Sequence, residues 1–241
     1  MSRRPFCFRL AGLIATAVLA ACTPALSDEA RAVPPPKLDA PLAPKPGTQT
    51  AVFAGGCFWG MQWVFEHVKG VTNVTAGYSG GAADTAHYER VSEGDTGHAE
   101  SVQVTFDPSK VSYGELLRVY FSVATDPTEL NRQGPDSGAQ YRGAIFYTGP
   151  QQQGIARAYI AQLSSEKIYA APIVTQVVPF KAFYPAEDYH QDYARLNPDA
   201  PYIAINDAPK VTRLAQLLPA LYRARPIAHR ATASTIGVQV L

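Results

Sequence analysis

The stretch VFAGGCFWGM, residues 52–61, sets one thiol between two glycines and two large aromatic side chains. Gly55 and Gly56 let the backbone turn tightly, and the apolar spacing after Cys57 predicts that a helix begins there. A sulfur at a helix N-terminus meets unpaired N–H groups and a partial positive charge, which lowers a thiol pKa and raises the thiolate fraction. Cys57 then reads as a nucleophile; the alternative is a small buried hydrophobe, the usual role of a free cysteine. Phe58 and Trp59 are adjacent, so on a helix they diverge by about 100° and cannot both enter one core. One of them is expected to wall an open cavity beside the thiol. An aromatic wall there suits a thioether methyl, because sulfur–aromatic contacts are favourable.

A second set of reactive groups lies in GDTGHAE, residues 94–100, and in the polar segment NRQGPDSGAQYRG, residues 131–143. Glu100 shares the period-two alternation of Val102, Val104 and Phe106, so its parity points it inward. A carboxyl in that position should be neutral at pH 7 and able to donate a proton. If the register slips at the strand's edge, Glu100 faces water instead. His98 has the same parity and is the rival acid–base group. Segment 131–143 is long for a loop and more apt to carry function than packing; Asp136 and Tyr141 are its most useful groups.

How far Cys57 stands alone depends on the N-terminus. Arg3 and Arg4 precede the uncharged run LAGLIATAVLAA, residues 10–21, which is short for a membrane span and reads as a secretion signal. It ends in LAAC, residues 19–22, which resembles a bacterial lipobox with Cys22 as the lipidated first residue of the mature chain. A simple signal cut nearby is the alternative. On the lipobox reading the protein is exported, faces the periplasm and is held to a membrane only by its anchor. Thr23, rather than Asp, favours the outer membrane. Cys7 leaves with residues 1–21, Cys22 is acylated, and Cys57 remains as the sole thiol, so no internal disulfide is possible. Removal of the signal leaves 18 basic against 20 acidic residues, a balance that gives no reason to expect nucleic acid as a partner.

Residues 22–48 read as a lipidated, proline-rich tether. VPPPKLDAPLAPKPG, residues 33–47, holds six prolines and few large apolar groups, and in polyproline II it would reach roughly 45 Å without packing a core. From residue 49 to 225 the pattern is that of one catalytic domain, and the 46% of apolar residues suffices for its core. Strands are predicted within residues 50–56, stopped by the two glycines, 71–81, ending in a Gly-rich turn, 99–108, ending at Asp107-Pro108, 141–149 and 173–180. Helices are predicted after Cys57, over 113–121 with Ser112 as N-cap, over 151–169, around 186–195 and over 209–222. Neighbouring strands without long crossovers favour an α+β sandwich with a mixed sheet over a doubly wound parallel one. Residues 226–241 form a tail of unassigned role, uncharged and apolar over 231–241. With no ligand cluster and no phosphate loop, no bound metal or organic cofactor is expected.

Five ordered blocks, GGCFWG, AGYSGG, GDTGHAE, DPTELNRQGPDSGAQYR and FYPAEDYHQDY, together resemble peptide methionine sulfoxide reductase of type A over roughly residues 48–225. The resemblance implies a two-layer α/β sandwich containing a ferredoxin-like unit. It implies reduction of the S epimer of methionine sulfoxide, free or in proteins, to methionine. It makes Cys57 the nucleophile, Glu100 the acid for the sulfoxide oxygen, Tyr88 and Tyr141 hydrogen-bond donors to that oxygen, Asp136 a substrate-binding group and Phe58 with Trp59 the methyl pocket. The enzyme product is then a sulfenic acid at Cys57. Two departures matter. Gln62 stands where many members carry Glu, with little loss expected. No resolving cysteine follows; the chain reads PYIAINDAPK, residues 201–210, so the reductant must be an external thiol, either a thioredoxin-like donor or a small thiol. Asp188 and His190 match a family block and are expected to be structural. The competing readings are a cysteine-dependent acyl hydrolase using His98 or His190, and a non-catalytic lipoprotein that binds oxidised or Met-rich partners.

Overall fold

In the computed structural model of the chain, residues 31–231 are described; Cys22 and the segment expected to be a signal lie outside them, as do residues 232–241 of the tail. The strands are β1 (Gln49–Ala54), β2 (Val71–Ser79), β3 (Ala99–Phe106), β4 (Arg132–Gln133), β5 (Asp136–Ser137), β6 (Ala144–Tyr147), β7 (Gln176–Pro179) and β8 (Phe183–Pro185). The helices are α1 (Phe58–Glu66), α2 (Tyr88–Val91), α3 (Tyr113–Val119), α4 (Pro150–Ser165), α5 (Tyr193–Leu196) and α6 (Ala208–Leu217). Six strands form one sheet in the order β7-β6-β1-β3-β2-β8, while β4 and β5 make a separate hairpin. Pairing is antiparallel except between β6 and β7, so the sheet is mixed as expected. The run β1-α1-β2-β3-α3-β6, with β6-β1-β3-β2 side by side, is the ferredoxin-like unit.

One sheet face carries the main core. Phe53, Val74, Ala76, Val102 and Val104 meet Met61, Val64, Phe65 and Val68 of α1, Leu116 and Leu117 of α3, and Ile155 and Leu163 of α4. A helix of nine residues is marginal by itself. The full burial of four apolar side chains in and just beyond α1, each contributing roughly 1.5–3 kcal/mol, holds it in place. The opposite face carries a smaller cluster of Val52, Ala54, Ala99, Ala144 and Phe146.

The proline-rich segment departs from the tether expected of it. Val33 is buried in the main core, and its backbone N–H donates to Ser122 Oγ at 3.2 Å. Pro34 O accepts from Tyr159 Oη at 2.6 Å, and Pro35 O from Gln162 Nε2 at 3.1 Å. Prolines cannot donate, but their carbonyls accept, and that is how this strap binds α4. Asp39 does more: it accepts from Gly114 N at 2.8 Å and from Ser112 Oγ, the N-cap hydroxyl of α3. The cap at Ser112 is as expected, with Glu115 N donating to it at 3.1 Å, but a strap residue buttresses it. Asp39→Ala should lower unfolding stability by ~1–2 kcal/mol in urea titration, because it leaves an N-terminal N–H of α3 without a partner.

The helix ends differ from the sequence reading for local reasons. Helix α4 stops at Ser165 because Lys167 takes a left-handed φ of 51°. Helix α6 stops at Leu217 because Leu218 precedes Pro219, whose ring disfavours helical backbone there. The helix expected around 186–195 is split by Asp192 at φ 58° into a 3₁₀ turn, Asp188–His190, and α5. Residues 223–230, assigned in part to the tail, lie along α1 and β2: Arg223 N donates to His67 O at 2.8 Å, Ile227 N to Glu66 O at 3.1 Å and Arg230 N to Asn73 Oδ1 at 2.8 Å.

Candidate active site

The sheet register brings the thiol to the acid. Ala54, the last residue of β1, pairs with Ser101, so the chain leaving β1 passes Glu100 as it turns into α1. The turn needs both glycines. A Cβ at Gly55 would lie 2.8 Å from Thr125 Oγ1, and one at Gly56, whose φ is 94°, would lie 2.7 Å from Gln133 Cβ. Cys57 occupies the N-cap position of α1 but makes no capping bond with its side chain. The orphan N–H of Phe58 instead donates to Glu100 Oε2 at 3.0 Å. The carboxyl thus caps the helix whose first residue follows the thiol.

Burial decides both protonation states. Glu100 is 4% exposed, and burial pushes it up to about 8; the Phe58 N–H pulls the other way, and the carboxylates of Asp136 and Asp207 add to the rise. It is therefore mostly neutral at pH 7, as its strand parity implied. The thiol does not follow expectation. Burial, then the Glu100 and Asp207 carboxyls, push Cys57 well above its ordinary value, against the Trp59 N–H and Lys210. The helix end does act on the sulfur, through Trp59 N–H, but desolvation outweighs it. The free enzyme holds a thiol rather than a thiolate.

Phe58 and Trp59 diverge as their adjacency requires. Phe58 is buried against Tyr78 and His190, with ring centroids at 5.8 and 5.0 Å. Trp59 is half-buried, stacked on Tyr193 at 4.1 Å and edge-on to Tyr202 at 6.2 Å. His190 accepts a hydrogen bond from Trp59 Nε1 at its Nδ1, 3.1 Å away, which fits the structural role expected of it. Burial lowers its pKa, so it is neutral. Tyr88 and Tyr141 both lie within electrostatic reach of Glu100, Asp136 and Cys57, and burial followed by Glu100 raises each phenol. Asp136, on the β4–β5 hairpin, accepts from Tyr202 Oη. The site residues expected from sequence therefore come together, with one rival removed. His98 is fully engaged by the turn before it: Gly81 N donates to its Nδ1 at 3.2 Å, and its Nε2 lies 2.9 Å from Ala82 O.

Residues 49–219 match the family model described as peptide methionine sulfoxide reductase. The chain belongs to this family. It is 62% identical over 182 residues to peptide methionine sulfoxide reductase MsrA 2 of Mesorhizobium japonicum, covering 76% of this chain and 93% of that one. It is 55% identical over 170 residues to the MsrA 2 of Synechocystis, covering 70% and 79%. Its fold is similar to that of methionine sulfoxide reductase A of Corynebacterium diphtheriae, at TM-score 0.55 and 35% identity over 65% of this chain and 78% of that one. Mxr1 of Saccharomyces cerevisiae in its reduced form aligns at TM-score 0.57 and 30% identity over 68% and 92%. The activity is thiol-dependent reduction of the S epimer of methionine sulfoxide, and the α+β fold is that of the family. The acyl-hydrolase reading has no support: both ring nitrogens of His98 are engaged by residues 81–82, and His190 uses Nδ1 to hold Trp59.

Several groups in this reductase site escaped the sequence reading. Glu187 accepts from Tyr78 Oη at 2.8 Å and from Tyr88 N at 2.9 Å, so it fixes where α2 presents Tyr88. Tyr202 orients Asp136, and nothing in PYIAINDAPK announces that role. Gln62 is not an idle departure from the family pattern. Its amide donates to Val74 O at 3.1 Å and to Gln191 Oε1 at 3.3 Å, and accepts from Asp192 N at 2.9 Å. An ionised Glu could accept but could not make the two donations.

Proposed function

We propose that Cys57 attacks the sulfoxide sulfur while Glu100 protonates the sulfoxide oxygen. The hydrogen bond from Phe58 N to Glu100 Oε2 carries this reading. In a neutral carboxyl the carbonyl oxygen accepts that N–H, which leaves the hydroxyl oxygen to donate into the pocket. Oxide is a poor leaving group and needs a proton as the S–O bond breaks. The thiol proton of Cys57 passes to the carboxylate that Glu100 has become, so no net proton is consumed. The released hydroxyl then bonds to Cys57 Sγ and the sulfur–sulfur bond formed in the attack breaks, its electron pair leaving with the substrate sulfur; the sulfoxide sulfur has gained two electrons and become a thioether, and Cys57 has lost two and become a sulfenic acid. Tyr88 and Tyr141 hydrogen-bond the sulfoxide oxygen, Trp59 and Phe58 wall the methyl group, and Asp136, steadied by Tyr202, binds the polar part of the substrate.

The cycle closes with an external thiol, because no cysteine follows Cys57 in this sequence. One thiol condenses with the sulfenic acid to give a mixed disulfide and water; a second thiolate releases Cys57. A thioredoxin-like donor or a small thiol serves, and no bound cofactor is required. We place the enzyme on the periplasmic side of a membrane, anchored through lipidated Cys22 and acting on oxidised exported proteins. The LAAC sequence after an uncharged apolar run supports this. Because the strap binds the domain from Arg31 onward, only about eight residues separate the anchor from the folded body, a reach of roughly 28 Å at full extension.

Single-turnover oxidation tests the reading. Reduced protein mixed with each sulfoxide epimer, without added thiol, should gain one oxygen atom at Cys57 with the S epimer and none with the R. Oxygen found elsewhere, or methionine formed with Cys57 unmodified, would remove Cys57 from the reaction.

A further inference from the structure

Asp207 is a fully buried carboxyl from the far end of the chain, on the π-helical turn Ile203–Asp207 that leads into α6. It lies over Gly60, three residues past Cys57 on the first turn of α1. Its carboxylate fills the space that any side chain at Gly60 would take. Lys210 Nζ stands 3.3 Å from Asp207 Oδ1, while Oδ2 has no hydrogen-bond partner among the described residues. A buried carboxyl with one oxygen unpaired is costly, and an apolar side chain of similar volume would pack this position at least as well. Packing therefore does not account for it.

We infer that the Asp207–Lys210 pair is a positioning element of the active site, holding one negative and one positive charge against the first turn of α1 so that their balance sets how readily Cys57 reacts. The two charges oppose each other at the sulfur: Asp207 raises its pKa and Lys210 lowers it. The other groups facing Cys57 are Glu100 from β3 and the phenols Tyr88, Tyr141 and Tyr202, with Asp136 from β5 acting on Glu100, all of them acids or neutral donors. Lys210 is the cation of the set. It opposes the anions that surround the thiol. The inference rests on Cys57 being the nucleophile.

The test is the pH profile of Cys57 alkylation by iodoacetamide on the intact protein, which reads the thiol without any sulfoxide. Asp207→Asn should move the profile to lower pH and speed alkylation at pH 7 by about tenfold, the equivalent of one pKa unit. Lys210→Met should move it to higher pH and slow alkylation by a similar factor, and the double variant should lie between them. Opposite shifts support the pair; no shift in either, or shifts of the same sign, overturn it. If Asp207→Asn does not fold by circular dichroism, Lys210→Met decides alone, since Lys210 is partly exposed: a slowing supports the inference and an unchanged profile sinks it. An active Cys57→Ser enzyme would instead defeat the underlying reading, whatever the alkylation profiles show.

Discussion

Cys57→Ser should lose essentially all turnover of methionine sulfoxide, on the order of 10⁴-fold or more, as happens when a nucleophile acting in a coupled unit is removed. Two features make the loss this large. Cys57 is the only cysteine among the described residues, so no neighbouring thiol can stand in. The electron pair that reduces the sulfoxide comes from the sulfur itself, and a serine hydroxyl cannot be oxidised in its place. The fold should tolerate the change, since the side chain is small, caps nothing and sits in a turn set by Gly55 and Gly56. Methionine production with dithiothreitol as reductant, beside an unchanged circular dichroism spectrum, measures both halves. A folded serine variant with even a tenth of wild-type turnover would be incompatible with a thiol mechanism.

Glu100→Gln should lower kcat by about 10²–10⁴-fold, the range supplied by a positioned general acid. Glutamine keeps an oxygen for the Phe58 N–H, so the helix cap survives while the proton donor is lost. The pH dependence gives a second check. Glu100 works as the protonated acid and titrates at about 8, so wild-type kcat should fall as pH rises through that value, and the variant should lack this fall. Wild-type stability should also fall as pH rises. The carboxyl is raised from an ordinary 4.5 to about 8 in the folded state, so between these values the native protein holds a proton that the unfolded chain releases. Its contribution to stability is then fully present below pH 4.5 and is lost as pH rises through about 8. Glutamine has no charge to bury, so the variant's stability relative to wild type should be higher at pH 9 than at pH 5. Urea unfolding at the two pH values measures this; a difference of the opposite sign would mean that Glu100 is ionised in the native state.

Much of the site was legible because its signals are local. Two glycines before a cysteine, followed by apolar spacing, give a strand, a tight turn and a helix start, and β1, Cys57 and α1 follow that order. The inward parity of Glu100 is a two-residue repeat within β3, and the divergence of Phe58 from Trp59 is helix geometry. Short elements were not legible. Helix α2 has four residues and β8 three, too few for a period to show, and β8 carries a proline that only an edge strand tolerates. The strap has the composition of a solvated linker, which hides that it packs on the domain. Its binding depends on carbonyl acceptors and one aspartate meeting α3 and α4, partners 73 to 127 residues away in sequence.

Local spacing sets which reactive groups the site has: the Cys57 thiol, one inward carboxyl and an aromatic wall, each placed over fewer than ten residues. Only the tertiary structure decided their electrical state and their supports. Desolvation and the sum of charges around Cys57 depend on what packs over it, including Asp207 and Lys210 from the end of the domain. The physical reason is range: hydrophobic periodicity and turn chemistry are written in neighbouring residues, whereas burial and Coulomb interactions act through space between residues that the chain alone does not bring together.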